Sequence, residues 1–103
     1  MDILFDGPVL RLSGDADVRH TAELRQAVHD HLATCGTAAA VIDVSGVESV
    51  DLIALRVLAN AARFGHLQGR RLVLHHCSAA VLRMLHISRL IRFVEVERER
   101  IPA

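Results

Sequence analysis

Residues 40–75 read AVIDVSGVESVDLIALRVLANAARFGHLQGRRLVLH. Ala40 to Val44 is largely apolar and β-branched, as a central strand should be, and Ser45-Gly46 is expected to end it. Asp51 stands in front of a long apolar run and is a natural N-cap. A helix is therefore expected from there to about His66 or Leu67, with Gly69 just beyond. Arg71-Leu72-Val73-Leu74-His75 returns to strand character. Strand, single helix and strand in sequence imply a right-handed parallel crossover.

The flanking sequence extends this pattern. Toward the N-terminus, Ile3-Leu4-Phe5 and Val9-Leu10-Arg11-Leu12 are short extended runs separated by Asp6-Gly7-Pro8, which is turn chemistry. They read as a hairpin that stops at Ser13-Gly14. Thr21 to Thr34 carries Leu24, Ala27, Val28, His31, Leu32 and Cys35 at helical spacing, with Glu23 in the first turn and Gly36 as the cap. Toward the C-terminus, Ser78 can cap a third helix that carries Val81, Leu82 and Leu85 toward Leu90. Phe93 to Val96 is the expected last strand, and Glu97 to Ala103 a frayed tail.

The order β-β-α-β-α-β-α-β predicts one α/β domain over residues 1–103, with a mixed sheet of four to five strands and helices mainly on one face. The strands around Val41 and Val73 read as buried on both faces. Three short helices cannot cover two faces of such a sheet, so apolar surface is expected to remain for a partner.

Composition narrows the function. The chain has 103 residues, with 12 Lys+Arg against 12 Asp+Glu, and 51% of it is apolar. That content excludes disorder, and the charge balance gives no broad field to draw nucleic acid or an anionic membrane. All 12 basic residues are arginine, and there is no Trp or Tyr on which bases could stack. No apolar run is long enough to span a bilayer, and Met1-Asp2-Ile3 opens no basic leader, so the expected compartment is the cytoplasm. Cys35 and Cys77 lack CxxC spacing and are expected as reduced thiols.

On the second helix, only Arg56, Asn60 and Arg63 interrupt the apolar sequence between Leu52 and Phe64, and they share one stripe. Leu55, Leu58, Ala59 and Ala62 can face the sheet, with Ile53, Val57, Ala61 and Phe64 on the flanks. The flanks are either covered by neighbouring helices or left as a protein-binding surface around Leu52, Ile53, Val57 and Phe64.

Several segments together resemble a known family. These are Leu12-Ser13-Gly14-Asp15-Ala16-Asp17 before Thr21-Ala22-Glu23-Leu24, Val41-Ile42-Asp43-Val44-Ser45-Gly46-Val47, Gly69-Arg70-Arg71-Leu72-Val73-Leu74 and the stretch from Ser78 to Phe93. Their order and spacing resemble STAS domains of the bacterial anti-sigma factor antagonist type. The resemblance implies a partner, an anti-sigma factor or a related kinase-like protein. It also implies a phosphorylated serine in an Asp-Ser-Ser-Gly tetrad at the start of the second helix. Here the tetrad is Asp51-Leu52-Ile53-Ala54, so Leu52 occupies the phosphoacceptor position and has no hydroxyl to modify. Asp17 matches a nearby acidic position of the family. Both Asp17 and Asp51 are equally explained as caps. Ser49 and Ser45 are the displaced acceptor candidates, with turn or capping roles as the alternative.

Other constellations are weaker. His75-His76-Cys77 alternates across a strand, and His31 with Cys35 supplies two ligands where zinc needs three or four, so no metal is expected. No GxSxG, GxxxxGK[ST] or GxGxxG motif is present, and neither catalysis nor a cofactor is expected. Arg56, Arg63 and Arg70 repeat every seven residues, with Arg71 adjacent, either as a solvated stripe or as anchors for a partner's carboxylates. The predicted function is a non-enzymatic, unphosphorylated protein-binding domain contacting its partner through Ser49, Asp51, Leu52, Ile53, Arg56 and Val57. The alternatives are an adaptor subunit of a lipid-transport ABC complex and a homodimerising module with the second helix as its seam.

Overall fold

The computed structural model describes residues 1–34 and 39–97. The expected cap at Gly36, the Cys35 thiol and the tail beyond Glu97 lie outside the described residues. The elements are β1 (Asp2–Asp6), β2 (Val9–Ala16), α1 (Thr21–Thr34), β3 (Ala39–Val50), α2 (Leu52–Leu67), β4 (Arg71–His75), α3 (Ala79–Ser88) and β5 (Glu95–Val96). Single 3-10 turns at Val18–His20 and Leu90–Arg92 precede α1 and follow α3.

The strands lie in the order β1-β2-β3-β4-β5, with β1 antiparallel to β2 and the other pairs parallel. Gly7, with φ +58°, fits the first central position of a II′ hairpin turn, since Pro8 cannot take the second positive φ that a I′ turn demands. Each parallel crossover steps to the next strand in one direction, so right-handed connections put all three helices on one face. Burial agrees: Leu10, Ile42 and Leu74 are paired neighbours across the sheet and all are fully buried, as are Val28, Leu55 and Leu85 on the helices.

On the other face the expectation of strands buried on both sides holds at the centre, where Asp43 and Val73 are buried between the buried neighbours Ile42, Val44, Leu72 and Leu74, and fails toward the rim. The rows of this face are Val9, Val41 and Val73, then Arg11, Asp43 and His75. Val73 is buried and Val41 half-buried, but Arg11, Ser45 and Arg71 are exposed. Charges on this face neutralise one another. Arg11 meets Asp6 at 3.0 Å and lies 3.9 Å from Asp43, Arg71 pairs with Glu95, and His75 sits 2.6 Å from Glu97. Glu97 is also tied by its N–H to the Leu74 carbonyl at 2.9 Å.

Two strand boundaries depart from expectation. Ser45-Gly46 does not end β3, which continues to Val50, and β2 likewise continues past Ser13-Gly14 to Ala16. Gly46 permits this because a Cβ there would stand 2.7 Å from the Ser13 Cβ, closer than side chains approach. The last strand is shorter than expected, since the Leu90–Arg92 turn carries the chain around and leaves Phe93 exposed ahead of Glu95.

His31 is a core histidine, 2% exposed, whose Nε2–H donates to the Val41 carbonyl at 2.9 Å. Burial lowers its pKa, while the Val41 hydrogen bond opposes the shift. The unfolded chain therefore binds the proton more readily than the fold. This contribution to stability is fully present above about pH 6.5 and is lost as the pH falls toward the folded value, by at most about 1.4 kcal/mol per pH unit. Urea midpoints at pH 7.5 and 5.5 measure it, and His31→Gln should flatten this part of the dependence.

Candidate functional site

The upper ends of β2 and β3 diverge into two turns, and Asp51 joins them. Its backbone N–H donates to the Ala16 carbonyl at 3.0 Å. One carboxylate oxygen accepts from the Ala54 N–H at 2.9 Å and caps α2, while the other accepts from the Val18 N–H at 2.9 Å. The capping role foreseen for Asp51 is thus realised, with a second contact that spacing along the chain does not reveal. Asp17 caps the neighbouring turn, accepting from the Arg19 N–H and side chain and pairing with His20 at 3.0 Å. The Arg19 hydrogen bond holds the Asp17 carboxyl down at about 2, against a modest opposing effect of desolvation.

Directly after Asp51, Leu52 is 39% exposed and Ile53 45% exposed, and Val18 on the clamped turn is also exposed. Arg56 follows one turn later on the same exposed side of α2. The structure therefore groups Ser49, Asp51, Leu52, Ile53 and Arg56 at one end of the helix. Val57 must be corrected: it is 5% exposed and part of the core, so it cannot line a contact surface. Phe64 is exposed at the far end of α2, with the His29 ring edge-on at 5.3 Å. Sequence reasoning missed Val18, which sits in a turn too short for periodicity to register, and Asp15, which meets Ser49 across the β2–β3 pair.

Ser49 Oγ donates to Asp15 Oδ1 at 2.6 Å. The Ser45 N–H donates to Asp43 at 2.8 Å. Burial pushes the Asp43 carboxyl up, but the Ser45 hydrogen bonds and the charges of His76 and Arg11 carry it below the usual carboxylate range. Burial pushes the Cys77 thiol up to about 11, which keeps it protonated and poorly nucleophilic near neutral pH. A groove of about 790 Å³ opens beside His76, Cys77, Leu82, His86 and Ile91, and none of the grouped residues lines it. Among the described residues, no three His, Cys, Asp or Glu side chains are placed to hold a metal ion, and no helix is long and apolar enough to cross a membrane.

A mixed five-stranded sheet with three crossover helices gives this small α/β domain the architecture of a STAS domain. The family model described as "Mlab, STAS domain" matches residues 1–95, and the chain belongs to that family. No curated protein sequence matches it. Among solved structures, a candidate anti-sigma factor antagonist of Thermotoga maritima, TM1081, aligns over 95% of this chain and 86% of its own, with TM-score 0.75 and 21% identity. Unphosphorylated SpoIIAA, an anti-sigma factor antagonist, aligns over 95% and 88%, with TM-score 0.72 and 15% identity. A Moorella thermoacetica RsbS variant aligns over 96% and 86%, with TM-score 0.63 and 19% identity. At these identities the likeness is one of fold.

Proposed function

We propose that this domain is a non-enzymatic docking module of the anti-sigma factor antagonist kind, working in the cytoplasm as a single domain. It binds an anti-sigma factor or related kinase-like protein through the start of α2, using Ser49, Asp51, Leu52, Ile53 and Arg56. The observation that carries this reading is the exposure of Leu52 and Ile53 side by side on a helix start fixed by Asp51. Large apolar side chains held in the open at a rigid position have a natural use in a partner contact.

In this reading the contact is not switched by phosphate. Leu52 has no acceptor oxygen. A phosphate on Ser49 would bring about −2 charge onto the carboxylate of Asp15, with Asp51 close in sequence. Intact-mass measurement after incubation with an anti-sigma factor kinase and ATP should show no added phosphate. Phosphate gained at Ser49 or Ser45 would overturn the unregulated reading.

A second reading is an adaptor subunit of a lipid-transport ABC complex, which would share this STAS fold. Titration of the purified domain with an anti-sigma factor, and separately with the ATPase of such a transporter, distinguishes the two. Saturable binding to the ATPase alone replaces the first reading with the second.

A further inference from the structure

Resting on the reading of α2 as the docking element, we infer that its partner presents an acidic amphipathic helix and that a second copy of this chain is rejected. The exposed side of α2 carries Ile53, Arg56, Asn60, Arg63, Phe64 and Leu67, a line along one face with apolar ends and a cationic middle. No aspartate or glutamate occurs between Leu52 and Leu67. The side chains of Arg56 and Arg63 form no ion pair or hydrogen bond among the described residues. They are two turns apart, about 10 Å along the axis.

Arg63, on the edge of this line, also borders a cleft of about 300 Å³ between α2 and the turn before β5, which Phe64 and Leu67 do not line. Arg63, His66, Arg70, Arg71, Arg92 and Phe93 line it. Arg71 is neutralised by Glu95, the one acid in the lining, and Arg70 donates to the Leu32 carbonyl. Arg63 and Arg92 remain without an acidic partner among the described residues. In a chain of zero net charge, this places positive potential along the middle and far end of α2, with the carboxylates of Asp15, Asp17 and Asp51 gathered at its start. Its complement is a helix with carboxylates a heptad apart, each able to take an arginine bidentately, and apolar residues at either end.

The same line argues against self-pairing. Two copies packed antiparallel on α2 would set Leu52 beside Leu67 of the other copy, a good apolar match. That register also sets Arg56 against Arg63 of the other copy, twice. Like charges opposed across a contact disfavour the wrong partner, and nothing on α2 offsets them.

The test uses a fluorescent synthetic helical peptide of about four turns, with leucines at both ends of one face and two glutamates a heptad apart. A counterpart carries lysines in place of the glutamates. Anisotropy titration should show the glutamate peptide binding at least tenfold more tightly, with the preference shrinking between about 50 and 500 mM salt. Arg56→Glu with Arg63→Glu should erase or reverse it. Equal affinities, or no binding by either peptide, overturn the inference. If the peptides bind equally but Ile53→Asp abolishes both, the docking face stands and only its acidic partner falls. If they bind equally and Ile53→Asp changes neither, both fall. Concentration-dependent self-association that Ile53→Asp removes would show a second copy on α2 and also overturn the inference.

Discussion

Ile53→Asp is expected to weaken binding to the proposed partner by roughly a hundredfold. An uncompensated carboxylate buried in an apolar contact costs about 3 kcal/mol or more, and 2.7 kcal/mol is about a hundredfold in Kd. Folding should survive the change. Position 53 lies in the first turn of α2, where negative charge suits the macrodipole, and Ile53 is already 45% exposed. Calorimetric titration against the partner, beside thermal melts of both proteins, separates the two effects. Ile53→Val should stay within a few-fold of the parent. Unchanged affinity in Ile53→Asp would remove this face from the contact.

Asp51→Ala acts on the fold itself. It removes the cap on α2 and the acceptor that holds the Val18 N–H. Loss of an N-cap costs about 1 kcal/mol, and the second hydrogen bond about as much again, less what water restores at the exposed turn. A destabilisation of about 1–2 kcal/mol is expected, seen as a fall in Tm of roughly 5–15 °C. Asp51→Asn should fall between, because its amide has one oxygen where the carboxylate uses two. Hydrogen exchange should quicken at Val18 as well as at Ala54. Exchange confined to Ala54 would show that the two turns are held independently.

Much of the fold was legible because periodicity and caps agree. Residues 21–34 form α1 as their spacing demands, Asp51 and Ser78 cap α2 and α3, and Leu55, Leu58, Ala59 and Ala62 are buried on α2. The misses have local causes. Ser45 and Gly46 look like a strand stop, but their backbone groups continue a ladder whose other side, Ser13 to Ala16, lies more than thirty residues away. A single-segment reading cannot see that partner. Val57 falls on a helix flank whose fate depends on how closely neighbouring helices pack, and they enclose it. Asp43 gave no signal either, since its burial depends on Ser45, Arg11 and His76 converging around it. At the candidate site, the tetrad Asp51-Leu52-Ile53-Ala54 was legible as helix start and apolar surface. The bridge to Val18 was not, because residues 33 apart in sequence meet there through the sheet.

The rear of the sheet carries a further implication. Arg11, Asp43, Arg71 and Glu95 already balance one another there. Stacking two molecules back to back would strip water from matched charges without supplying new counterparts, a net loss. Back-to-back stacking through that side is therefore disfavoured.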